Sequence, residues 1–254
     1  MLRFTGVAKS YGMVPAVKAL DFVARRGEVL GYLGPNGSGK STTVKMAVAL
    51  LEPTRGVISF DEKDIRADLI RYRRSIGYVP ESPELYLYLT GSEYLELVGG
   101  LRGIPQRVLQ EKIDKFLDLL ELAEDRYAPM SAYSKGMRQK ILISAALLHD
   151  PEVVVFDEPS SGLDAGSVLL LRELVRALAA QGKVVLYSSH DLGEVEDLCS
   201  RVVILRAGSI VTQGSVDSLR DLLHKPSLER IFADLVLTRD VQRAAADLVS
   251  AMKL

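Results

Sequence analysis

The chain has 254 residues, 48% of them hydrophobic, with Lys+Arg 32 against Asp+Glu 33 and a formal net charge of −1. That content is enough for a sizeable core, and without a broad basic surface no nucleic-acid partner is expected. The single cysteine, Cys199, excludes an internal disulfide and a cysteine-cluster metal site, and it suits a reducing compartment.

From the N-terminus, Met1 to Val7 lack the basic, apolar and small-residue order of a signal peptide. No apolar run reaches the roughly 20 residues needed to span a bilayer. A cytosolic chain is expected, and a membrane function would require another chain to span the membrane. The apolar run Val29 to Leu33 predicts a short buried strand, and behind it come Gly34, Pro35, Asn36, Gly37, Ser38, Gly39, Lys40, Ser41 and Thr42. This fits G-x-x-x-x-G-K-[ST], a glycine turn opening a helix at Lys40, which aims backbone N–H groups and a helix N-terminus at a polyphosphate. Lys40 would reach the β- and γ-phosphates, and the Ser41 hydroxyl would ligate a bridging Mg²⁺.

Runs at residues 29–33, 56–60, 76–79, 153–156, 184–187 and 202–205 read as strands of a largely parallel, two-sided sheet. Residues 46–51 read as a core helix. Between 85 and 149 the spacing becomes helical, at 92–101, 106–122 and 134–148, with Gly103, Pro105 and Pro129 marking breaks. A helical lobe, 85–149, is therefore expected as an insertion into an α/β core of residues 1–84 and 150–218. Residues 219–254 read as a helical appendage broken at Lys225-Pro226. No internal repeat is visible, so the chain holds one copy of the nucleotide-binding unit.

The run at 153–156 ends in Asp157-Glu158, and ligands of open α/β sheets gather at strand carboxyl ends. Asp157 would hold Mg²⁺, through water, and Glu158 would polarise the water attacking the γ-phosphate.

Upstream of this pair, Tyr133-Ser134-Lys135-Gly136-Met137-Arg138-Gln139 resembles the signature motif, usually LSGGQ, of the ATP-binding cassette (ABC) ATPases. Ser161-Gly162-Leu163-Asp164 resembles that family's D-loop, Ser188-Ser189-His190-Asp191 its switch histidine, and Tyr11 its adenine-stacking aromatic. The resemblance runs from about Leu2 to Asp217. It implies an α/β P-loop NTPase core with a largely parallel sheet, antiparallel N-terminal strands and an inserted helical lobe. It also implies ATP and Mg²⁺ as cofactors and His190 on the γ-phosphate and attacking water. Ser134 and Gly136 would close over nucleotide held by a second nucleotide-binding subunit, most simply another copy. A separate transmembrane permease would be the working partner of this ATP-hydrolysing subunit, with the chain peripheral on the inner face of the membrane; the alternative is a soluble ABC ATPase acting on the ribosome, DNA or a protein assembly rather than in transport.

The bland alternatives are a strand-end histidine at 190, a turn tyrosine at 11, and plain helix caps at Ser134-Lys135-Gly136 and at Asp164. His149 and His224 read as boundary or surface residues. Two departures stand out. Glu81, in Val79-Pro80-Glu81-Ser82-Pro83, occupies the family's Q-loop glutamine position; it keeps an oxygen for Mg²⁺ and loses the amide donor, the alternative being a residue that faces solvent. Lys135 replaces a glycine and would favour a partner's phosphate if turned inward. With Glu81, the form YSKGMRQ resembles the bacterial exporter-type branch of the family.

Overall fold

The structure is a computed structural model and describes residues 1–82, 85–236 and 251–252. Pro83, and residues 237–250 and 253–254 of the expected appendage, lie outside the described residues. In chain order come β1 (Leu2–Tyr11), β2 (Val14–Ala24), β3 (Val29–Leu33), α1 (Lys40–Ala47), β4 (Arg55–Phe60), β5 (Lys63–Asp64), α2 (Leu69–Arg74) and β6 (Ile76–Val79). The lobe supplies α3 (Gly91–Leu101), α4 (Gln106–Leu119) and α5 (Lys135–Leu147). The chain then forms β7 (Val153–Asp157), α6 (Ala165–Ala180), β8 (Val184–Ser188), α7 (Leu192–Leu198), β9 (Arg201–Arg206), β10 (Ser209–Ser215), α8 (Val216–Leu223) and α9 (Leu228–Val236).

The main sheet has the order β10-β9-β3-β8-β7-β6. Its pairs are parallel except β10 with β9. Every residue of β3, β7 and β8 is buried, which is why these strands read as unbroken Val/Leu runs rather than alternating ones. One face packs under α1 and the second sheet, through Leu30, Tyr32, Val44 and Met46. The other packs against α5, α6, α7 and the C-terminal helices, through Phe156, Val175, Val195 and Ile231.

The run at 56–60 proves to be β4 of a separate antiparallel sheet, ordered β2-β1-β4-β5. In β4 only Ile58 is fully buried, as suits a sheet with one wetter face. A side chain at Gly56 (φ +82°) would meet the Gly6 carbonyl at 2.3 Å, so β4 must lie flat against β1. The expected helix at 46–51 is also corrected. α1 stops at Ala47, Ala49 turns left-handed (φ 57°), and the N–H groups of Leu50 and Leu51 both return to Lys45 O. Likewise α4 ends at Leu119. Leu122 N–H folds back to Leu117 O at 2.7 Å, and the Leu122 side chain stays 1% exposed; it kept the apolar rhythm without being helical.

The lobe has its own core of Leu95, Leu109, Ile113, Leu117, Tyr133 and Ile141. Helix α5 gives Ile141 and Ala145 to that core and Leu142, Ile143 and Ala146 to the main one. A helix apolar all round is one buried on every side.

Candidate functional site

Because β3, β8, β7 and β6 are adjacent and parallel, they release the chain at one edge. Lys40 follows β3, His190 follows β8, Asp157 ends β7 with Glu158 next, and Glu81 follows β6. They meet around a cavity of about 270 Å³ lined by Ala16, Pro35, Asn36, Gly37, Gly39, Lys40, Ser41, Thr42, Glu81, Asp157, Glu158 and His190.

Glycine is needed where the backbone is crowded or left-handed. A Cβ at Gly34 would stand 2.5 Å from Ser38 Oγ and 2.7 Å from the Leu205 carbonyl. At Gly39 (φ +101°) it would stand 2.7 Å from the Ala16 carbonyl. Gly39 is also the N-cap of α1, with no side-chain cap, whereas Thr90, Ser134, Asp164, Asp191 and Ser215 cap α3, α5, α6, α7 and α8. The first N–H groups of α1 are thus left for an anion. Lys40 Nζ donates to the carbonyls of Gly34 and Pro35. Buried Ser38 Oγ has no hydrogen-bond partner among the described residues.

The acids sit in one another's field, with Asp157 and Glu158 partly or fully buried. Burial foremost pushes the Asp157 carboxyl above its usual range, and the Glu81 charge adds to this. Burial likewise raises Glu158, with His190 opposing and Asp157 and Glu81 adding. Burial lowers Lys40, against the pull of Glu158, Asp157 and Glu81. Three acids, two with raised proton affinity, beside an exposed Ser41 hydroxyl fit a divalent ion that shares its remaining positions with phosphate and water. Among the described residues no cluster of His, Cys, Asp and Glu would hold a metal by itself.

Glu158 has a left-handed backbone (φ 51°), a strain of about 1–3 kcal/mol for such a residue that tends to collect at functional sites. Its N–H donates to Ser188 O at 3.0 Å. Its Oε2 accepts from His190 N–H at 3.1 Å, while Oε1 lies 3.4 Å from His190 Nε2 without hydrogen-bond geometry.

Tyr11, Ser134 and Gly136 do not line the cavity. The Tyr11 ring is 52% exposed at the end of β1, with Lys9 Nζ 5.8 Å from its centroid. Ser134 Oγ caps α5 by accepting from Met137 N–H at 3.1 Å. A Cβ at Gly136 would meet the Gly162 carbonyl at 2.6 Å, so α5 begins flush against the turn that follows Glu158. Lys135 is turned into its own chain, donating to Ser161 Oγ at 2.7 Å. Asp164 caps α6 through Ser167 N–H and Oγ. His149 is a boundary residue on Ile76 O, and His224 an exposed cap.

The family described as ABC transporter matches residues 17–161. The chain belongs to the ABC transporter ATP-binding family. It is 34% identical over 221 residues to the ABC transporter ATP-binding protein NatA of Bacillus subtilis, covering 87% of this chain and 90% of that one. A Nostoc ABC transporter ATP-binding protein is 40% identical over 208 residues, 81% of this chain, and the match spans 62% of that relative's length. An ATP-binding cassette solved as a dimer in a post-hydrolysis state with ADP and Pi superposes with a TM-score of 0.76 at 25% identity, over 85% of this chain and 98% of that one. The α/β cassette fold expected from the motifs is therefore the fold of this chain.

Ala16 was not foreseen in the cavity wall; it comes from β2, and nothing local in the sequence marks it. The sequence reading also passed over Glu194. A charge three residues beyond the Asp191 cap, on the face of Val195 and Leu198, was the available signal.

Proposed function

We propose that this cassette hydrolyses ATP to ADP and phosphate to drive a separate membrane permease, pairing head to tail with a second nucleotide-binding subunit. The observation that carries the reading is the convergence of Lys40, Ser41, Glu81, Asp157, Glu158 and His190 in one cavity. The loop from Gly34 to Thr42 wraps the phosphates with backbone N–H groups, and Lys40 leaves its carbonyls for the β- and γ-phosphate oxygens. Ser41, Asp157 and Glu81 would hold Mg²⁺, which when bound neutralises charge on the phosphate oxygens. Glu158, with its raised proton affinity, orients the attacking water and accepts its proton. His190 holds that water against the γ-phosphate, and Tyr11 stacks on the adenine.

Ser134 and Gly136 stand at an exposed helix start on the lobe, away from their own chain's cavity, which supports a site completed by a second copy. A groove of about 660 Å³ runs from Ser41 and Asp157 past Glu81 to Tyr94 and Val98 of α3 and Arg102 at its end. The exposed Tyr86 and Tyr88 lie between β6 and α3, at the start of the lobe. In this reading the lobe, 85–149, moves against the core of 1–84 and 150–218, and a permease sits on the groove, placing the cassette on the inner face of the membrane. No helix among the described residues is long and apolar enough to cross one.

The test is purification from native cells in mild detergent, with ATPase assay of the product. A stoichiometric multi-span membrane protein, with turnover abolished in Glu158→Gln, is expected. Recovery of ribosomal or DNA-repair components instead would overturn the transport reading, and turnover surviving in Glu158→Gln would overturn the catalytic one.

A further inference from the structure

Behind the turns that carry Glu158 and His190 lies a further acid, Glu194 of α7, only 2% exposed. Its Oε1 accepts from the Tyr187 hydroxyl at 2.8 Å. Its Oε2 accepts from Ser189 Oγ at 2.9 Å and from Ser160 Oγ at 3.1 Å. Arg172 Nε of α6 stands 3.7 Å from Oε1. The Glu194 N–H donates to Asp191 Oδ1 at 2.9 Å, and Asp191 N–H donates in turn to Ser189 Oγ at 3.1 Å.

The donors come from three places that matter to the site. Ser160 is two residues beyond Glu158, Ser189 is one before His190, and Tyr187 is in β8. A buried carboxylate is costly, and an apolar residue of similar volume would fill such a space with less penalty. What the acid supplies is two oxygens that take three hydroxyl donors at once. The turns it joins also touch directly, through Glu158 N–H to Ser188 O and His190 N–H to Glu158 Oε2. Glu194 does not line the nucleotide cavity.

We propose that Glu194 is a positioning residue for ATP hydrolysis, clasping the turn after Glu158 to the turn before His190 so that both side chains face the same water. The proposal rests on the roles given above to Glu158 and His190. Because Glu194 lies outside the cavity, its loss acts on turnover and not on nucleotide affinity. Glutamine at this position keeps the shape but sets an NH₂ against a hydroxyl that now has nowhere to donate.

The experiment compares wild type, Glu194→Gln, Ser160→Ala, their combination and Glu158→Gln for kcat, ATP Kd and thermal midpoint. Glu194→Gln should lower kcat about tenfold, as loss of an orienting partner does, with Kd unchanged and the midpoint shifted too little to unfold the protein at the assay temperature. Ser160→Ala should lower kcat in the same direction, and the combined variant should fall no further than Glu194→Gln alone. Unchanged kcat in either single variant, or a fall matched by lost affinity or folding, overturns the proposal. Should Glu194→Gln fail to fold, Ser160→Ala decides by the same criteria. Turnover abolished by Glu158→Gln but untouched by Glu194→Gln sinks this proposal alone; wild-type turnover that does not depend on Glu158 sinks the hydrolysis reading with it.

Discussion

Glu158 combines a left-handed backbone with a carboxyl that burial pushes upward in pKa, so in the nucleotide-free protein its charge is held at a cost. An acid whose folded-state pKa is raised favours folding at low pH, and that advantage disappears as pH rises through the folded pKa. At neutral pH the charge is therefore destabilising. Glu158→Gln removes the charge and leaves the backbone strain in place, so it should raise the thermal midpoint, by about 2–4 °C for each kcal/mol relieved. Calorimetry without nucleotide checks this; a lowered midpoint would show that the carboxylate is instead well compensated. Lys40, Ser41 and the glycines were readable in the sequence because one loop supplies them all, and Asp157-Glu158 because a strand ends on them. Glu194 was not, because its partners at 160, 172, 187 and 189 meet only after β7 and β8 have paired and α6 has packed.

Elements were legible where burial dictates composition and less so where a turn intervenes. β3, β7 and β8 announce themselves as apolar runs, while the end of α1 depends on a left-handed Ala49 that no residue preference demands. β10 has only Ile210 and Val211 among Ser, Thr, Gln and Gly, with Gln213 exposed, and so carries a weak apolar signal. Whether β4 joins the parallel or the antiparallel sheet is decided by its contact with β1, which local pattern does not encode. The junction between α5 and β6 makes a pH-dependent prediction. His149 Nε2 donates to Ile76 O at 2.9 Å and Nδ1 is buried without a partner among the described residues. Burial foremost, with Arg102 and Lys112 adding and Asp150 opposing, lowers its pKa from 6.5 to about 4. The unfolded chain then binds the proton that the folded one refuses, so stability is full above pH 6.5 and lost as pH falls toward 4. The slope is about 1.4 kcal/mol per pH unit. Urea unfolding at pH 5 and pH 7 should show a smaller difference in His149→Gln than in wild type; equal differences would mean that the ring is protonated in the folded state.

At the scale of the whole molecule, the proposed reaction is divided between two places, the cavity and the start of α5. The chain has its glycine loop, acids and histidine on one edge of its sheet, and Ser134 with Gly136 at an exposed helix start elsewhere. The measurement that tests this account most directly is light scattering of Glu158→Gln with ATP and Mg²⁺, then with ADP. The account predicts that the 27.8 kDa mass doubles with ATP and returns to the monomer value with ADP. A monomer that persists at saturating ATP would contradict it.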